Sequence, residues 1–134
     1  NMTAFAMRLA AGQPVTLVNS RRDFVYIDDL VWLAQAAGWK GGGVYHVSTG
    51  RDYAISDIFT EIANAMHLAV ERPPILPRGV DDAPSILLDP VYTELDFGWA
   101  AQTPLLVGIQ RAVDWYAVNP PTETYTHLAQ KEMK

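Results

Sequence analysis

Hydrophobic positions change their spacing several times along this chain, and each change marks a new element. Met2, Phe5, Ala6, Leu9 and Ala10 recur at helical spacing before Gly12 and Pro14, which predicts a short helix ending near residue 11. Val15-Thr16-Leu17-Val18 is a β-branched apolar run between Gly-Gln-Pro and Asn-Ser, the pattern of a short strand, and Phe24-Val25-Tyr26-Ile27 is a second extended candidate. Asp28 and Asp29 stand ahead of Leu30, Val31, Leu33, Ala34 and Ala37. Carboxylates there are expected to cap free amides and to complement the positive end of a helix dipole, with the helix stopping at Gly38 or shortly after. Gly41-Gly42-Gly43 then predicts a loop, and Val44-Tyr45-His46-Val47-Ser48 a strand.

Ser56 is expected to be the N-cap of the next helix, with Asp57 in its first turn and Ile58, Phe59, Ile62, Ala63 and Met66 forming one apolar stripe. Pro73, Pro74, Pro77 and Gly79 make residues 70–82 a strand-like or irregular excursion. Asp89-Pro90 and Thr103-Pro104 each set an N-cap oxygen before a proline at the first helical position, where the missing N–H costs little. Leu105, Leu106, Ile109, Ala112, Val113 and Tyr116 form the face of the second of these helices, and Pro120-Pro121 ends it. The polar tail, residues 121–134, is expected to be mobile or to dock on a partner.

Helix, strand, strand, helix, strand, helix favours an α/β fold over a helical bundle. Three or four short strands beside several amphipathic helices leave apolar faces to cover, which points to a missing amino-terminal domain or a homo-oligomer. The chain starts Asn1-Met2 with a helical pattern almost at once, as a tag remnant or an excised upstream region would produce.

Composition then narrows the functional classes. A net charge of -5 disfavours a broad nucleic-acid surface, so an anionic ligand would need a local arginine site. With no cysteine there is no disulfide or thiolate metal site, and His46, His67 and His127 have no ligand spacing, so no metal is expected. No apolar run approaches the roughly 20 residues of a membrane span, and a soluble, cytoplasmic protein is expected.

Arg22-Asp23-Phe24-Val25-Tyr26-Ile27-Asp28-Asp29-Leu30, continued by Val44-Tyr45-His46-Val47-Ser48-Thr49-Gly50, resembles the carboxy-terminal half of extended short-chain dehydrogenases, the NAD(P)-dependent nucleotide-sugar epimerases and dehydratases. Asp89-Pro90 before Glu94-Leu95-Asp96-Phe97-Gly98-Trp99, and Thr103-Pro104-Leu105 leading to Ala112-Val113-Asp114-Trp115-Tyr116, are similar to two further stretches of that family. The resemblance runs to about Pro120. It implies the carboxy-terminal part of a Rossmann-type fold, a small, partly parallel sheet with amphipathic helices, in which residues 1–120 form a nucleotide-sugar-binding portion.

By the same resemblance, Arg22 contacts the phosphate of a nucleotide diphosphate-sugar, since a planar, permanently charged fork suits a diphosphate. The bland alternative pairs Arg22 with Asp23 or another nearby carboxylate. Arg78, in Pro77-Arg78-Gly79-Val80-Asp81-Asp82, is similar to a second phosphate- or ribose-contacting arginine, although it falls one position early relative to Asp89-Pro90; the alternative is an exposed loop arginine. Arg21 and Arg51 are expected to be solvated. Asp28 and Asp29 are expected to be structural, His46 to make a structural hydrogen bond, and Trp99 and Trp115 to anchor a core or an interface.

The family's glycine-rich dinucleotide loop and its Tyr-x-x-x-Lys pair do not occur in this sequence: none of the six tyrosines has a lysine four positions later. The resemblance therefore implies NAD or NADP in a complete enzyme, no tight cofactor binding by this chain alone, and no catalytic residue within it. The competing expectation is a non-catalytic regulatory or self-associating module derived from the family.

Overall fold

The computed structural model describes residues 2–40 and 42–120. Its elements are α1 (Met2–Ala10), β1 (Leu17–Val18), β2 (Arg21–Asp23), α2 (Ile27–Lys40), β3 (Asp52–Ala54), α3 (Ile55–Ala65), β4 (Ile75–Leu76), β5 (Ser85–Ile86), α4 (Val91–Phe97) and α5 (Leu105–Val118). The fold is α/β, as the alternation of elements predicts. The expected tail lies outside the described residues.

Helix α3 is the centre of the core because apolar residues fall on one face at positions 55, 58, 59, 62 and 63. That face meets Phe5 and Ala6 of α1, Leu17 of β1 and Ile109 of α5. Phe5 and Phe59 meet edge to face with ring centroids 5.8 Å apart, the arrangement the ring quadrupoles favour. Each such side chain contributes about 1.5–3 kcal/mol through burial. Helix α3 ends in a Schellman turn: Leu68 N–H donates to Ala63 O at 2.9 Å and His67 N–H to Asn64 O at 3.0 Å, with His67 in the left-handed region at φ 57°. Buried Gly108 lets α5 approach Tyr26, where an added Cβ would lie 3.2 Å from the Tyr26 ring.

The strands form two small sheets. β1 pairs with β4 in parallel, Leu17 opposite Ile75, while β2 lies between β3 (antiparallel) and β5 (parallel). Residues 75–86 thus run beside residues 17–23 twice, and residues 77–84 leave the pairing between the two ladders as a loop.

Several local expectations are corrected. The second strand is Arg21–Asp23, not residues 24–27, because the ladders to β3 and β5 fall on Arg21 and Arg22 and Ile27 already begins α2. Residues 44–48 are extended but pair with no strand among the described residues. Ser56 lies inside α3, whose N-cap is Ala54 with no side-chain cap, and Ser56 O accepts the Thr60 hydroxyl. Asp28 and Asp29 both lie in the first turn of α2, and the Asp29 carboxylate serves another element: its Oδ2 accepts the Thr103 N–H and its backbone carbonyl accepts the indole N–H of the fully buried Trp99. Trp99 is the expected core anchor, whereas Trp115 is 57% exposed. Asp89 Oδ1 accepts Val91 N–H at 3.0 Å, but the N-caps of α4 and α5 are Pro90 and Pro104, one residue later than the expected Asp89 and Thr103.

Candidate functional site

Two consecutive arginines on β2 point to opposite sides of the strand and have different fates. Arg21, expected to be solvated, is ion-paired: its Nη2 lies 2.9 Å from Asp52 Oδ1, and its Nε donates to the same oxygen at 3.0 Å. The hydrogen bond to Arg21, followed by one from Ser85, holds the Asp52 carboxyl below its usual range, and the same contact raises the Arg21 guanidinium. Asp52 thereby absorbs the charge of the first arginine.

Arg22 takes no carboxylate partner among the described residues. Its Nη1 donates to Arg21 O at 2.6 Å and to Ala83 O at 3.1 Å, while Nε and Nη2 make no hydrogen bond among those residues. The structure therefore does not realise the Arg22–Asp23 pair. Asp23 instead accepts from Ser48 Oγ and Thr49 N, each at 2.7 Å, and from Thr49 Oγ1 at 2.5 Å. A carboxylate so enclosed by donors is poorly placed to neutralise its neighbour.

Arg78 sits on the loop between β4 and β5. With Asn19, Pro77, Gly79 and Val80 it lines an open concavity of about 430 Å³. Both candidate arginines involve the same loop, Arg78 belonging to it and Arg22 holding its Ala83 carbonyl, but Arg22 is not among the residues lining that concavity. Arg51, also expected to be solvated, lies with its guanidinium carbon 5.2 Å from the Tyr53 ring centroid. His46 makes the structural hydrogen bond expected of it, with Nδ1 3.0 Å from Asp89 O.

Sequence reasoning missed Asp52 and the grip of Asp23 on residues 48 and 49. The signal for the second was present in the adjacent hydroxyls of Ser48-Thr49 before Gly50; for Asp52 there was none, because it depends on the β2–β3 register.

The described residues do not fit a dinucleotide. A pyrophosphate needs a glycine-rich turn opening into a helix N-terminus. Gly12 follows α1, Gly98 follows α4, Gly50 leads into β3, and Gly42 and Gly43 lead into an extended segment. No group of three or more His, Asp or Glu residues suited to a metal occurs among the described residues, and no helix among them is long and apolar enough to cross a membrane.

No protein-family model matches the chain. A curated relative does: UDP-glucose 4-epimerase of Mycolicibacterium smegmatis is 30% identical over 117 residues, covering 84% of this chain and 37% of the relative. Among solved structures, the Bordetella bronchiseptica enzyme WbmG in complex with NAD and UDP matches 96% of this chain and 42% of its own, at 31% identity and a TM-score of 0.82. The WbmH enzyme of the same organism, in complex with NAD+, is 39% identical over 87% of this chain and 39% of its own, with a TM-score of 0.75. The chain thus spans about two fifths of the length of the relatives it matches.

Proposed function

We propose, from a chain whose sequence and fold match part of the NAD-dependent nucleotide-sugar epimerases and dehydratases, that it is the carboxy-terminal portion that holds the nucleotide diphosphate-sugar. The observation that carries this reading is the match of 96% of the chain to an enzyme solved with NAD and UDP. Arg22 is the principal diphosphate ligand: it is unpaired with any carboxylate among the described residues, and its Nε and Nη2 are left to donate. Arg78 supplies a second phosphate or ribose contact from the loop that Arg22 tethers. Hydride exchange with NAD or NADP, and proton exchange by a Tyr-x-x-x-Lys pair, belong to a portion outside this chain, so epimerisation (an isomerase step) or dehydration (a lyase step) requires that portion.

The test is affinity for UDP-, GDP- and dTDP-sugars in a polypeptide that joins this chain to an NAD-binding portion. Loss of a charge-assisted contact in a partly desolvated site costs about 1.5–3 kcal/mol, which corresponds to one to two decades in Kd at about 1.4 kcal/mol per decade. Arg22→Ala is expected to show that loss, and Arg22→Lys to recover only part of it, since an ammonium cannot reproduce the fork. Unchanged affinity for all three sugar nucleotides in Arg22→Ala returns Arg22 to a purely structural role.

A further inference from the structure

Helices α1 and α5 both pack on the core face of α3 and are joined to each other by a hydrogen bond of 2.6 Å between Thr3 Oγ1 and Tyr116 Oη. At the C-terminal ends of the three helices an open groove of about 590 Å³ remains, walled by Met7 and Ala10 of α1, Met66 at the end of α3, and Val113 and Ala117 of α5. Sites that take an organic group typically measure about 300–1,000 Å³. An apolar concavity beside the core is a surface that water covers at a cost, so it favours an occupant.

The chain itself leads to this groove. Asn119 leaves the helical region at φ −128° and ψ 69°, and Pro120, the last described residue, is part of the groove wall. The proline at position 121 lacks the N–H that a resumed α5 would need, so the chain cannot continue along the axis of that helix. Tyr125, Leu128 and Ala129 then follow at the i, i+3, i+4 spacing of a helix that lays one face into a groove. From Pro120 the chain to Tyr125 reaches at most about 18 Å at about 3.6 Å per residue, while the nine residues of α1 span about 14 Å at about 1.5 Å each. Tyr125 is therefore within reach of any point along the groove. Charge agrees: Asp114 on the rim accepts a hydrogen bond from Gln110 Nε2 at 2.9 Å but pairs with no cation among the described residues. Lys131 stands three positions beyond Leu128, on the same side of such a helix.

We propose that residues 121–134 turn back at Pro120-Pro121 and seat Tyr125 and Leu128 in this groove, with Lys131 against Asp114, as a strap of the same chain that closes the open side of the α1–α3–α5 core. The proposal goes beyond the sugar-nucleotide reading and does not depend on it. A tethered segment acts at an effective concentration on the order of millimolar, well above that of a second copy in dilute solution, and this favours the chain's own tail as the occupant. So short a helix is marginal alone in water, so the segment orders on docking.

Hydrogen exchange followed by mass spectrometry tests this on the full chain in dilute solution, against a synthetic peptide of residues 121–134. Amides 125–130 of the full chain are expected to exchange at least tenfold more slowly than in the peptide. Ala117→Glu, at an exposed position of the groove wall, and Leu128→Asp are each expected to return those amides to the peptide rate while Ile58 to Ile62 of α3 stay protected. Should Ala117→Glu loosen α3 as well, Leu128→Asp, which alters no described residue, decides. Tail amides that exchange in the parent as fast as in the peptide overturn the proposal, and so does protection that survives both substitutions, which would place the tail elsewhere. Protection that rises with protein concentration overturns it by making a second copy the occupant. Protection that disappears in the polypeptide joining this chain to an NAD-binding portion overturns it by giving the groove to that portion.

Discussion

The carboxylate of Asp29 accepts the backbone N–H of Thr103 at 2.9 Å, so the first turn of α2 holds the entrance to α5 across 74 positions of sequence. The backbone carbonyl of the same residue, Asp29, accepts the indole N–H of Trp99 at 2.9 Å. A single buried residue of α2 thus holds the segment between α4 and α5 through both its side chain and its backbone.

Replacing Asp29 by Ala leaves the Thr103 amide without its acceptor and is expected to cost about 1–3 kcal/mol. Asp29→Asn retains an acceptor oxygen and should cost less. Urea unfolding of the three proteins checks the order; equal stability of Asp29→Ala and the parent would remove the tie.

Two helix ends make opposite predictions. Gly98 follows α4 at φ 59° and donates its N–H to Glu94 O at 2.8 Å, whereas His67 holds a comparable left-handed position after α3. Gly98→Ala is expected to destabilise by about 1 kcal/mol and His67→Gly to stabilise by up to about 1 kcal/mol, because a Cβ is disfavoured at positive φ. Thermal unfolding reads both signs.

Acid should weaken the Arg21–Asp52 pair. The Asp52 carboxyl is lowered from its ordinary value of 3.8, chiefly by the hydrogen bond from Arg21 and then by that from Ser85. A carboxyl with a depressed folded value stabilises the fold above its unfolded value, and that contribution fades as pH falls through the folded value. The stability difference between the parent and Asp52→Asn is therefore expected to be flat from neutrality to mildly acid pH and to shrink below 3.8. A difference that grows on acidification contradicts the pairing.

Arg78→Ala is expected to weaken sugar-nucleotide binding in the joined polypeptide while leaving the melting temperature within about 1 °C, since exposed loop substitutions usually change stability by less than about 0.5 kcal/mol. Paired with Arg22→Ala, it separates the two arginines: losses that add indicate independent contacts, and losses that do not add indicate one shared ligand group.

Much of this was legible because helices declare themselves locally. Ile58, Phe59, Ile62 and Ala63 carry the stripe of α3 in sequence and its buried face in space. Strands depend on partners that sequence does not display. Phe24-Val25-Tyr26 has strand composition, but the ladders select the polar Arg21-Arg22-Asp23 beside Asp52-Tyr53-Ala54. Val44 to Ser48 has the same composition and the extended form, yet pairs with no strand among the described residues. Asp29 shows the limit for polar residues: its position before an apolar stripe suggests a cap, while its acceptor role is fixed by Thr103, far along the chain. Arg22 was nameable from its motif, but only the fold shows that Asp23 is taken by Ser48 and Thr49.

The loop of residues 77–84 leaves one parallel ladder at Leu76 and rejoins another at Ser85, and each ladder keeps its own register, Leu76 opposite Val18 and Ser85 opposite Arg21. Its length and sequence can therefore drift over evolutionary time without shifting either strand pair, since surface loops accept insertions at small entropic expense. The segment bearing Arg78 is free to diversify while the framework that holds Arg22 stays constant.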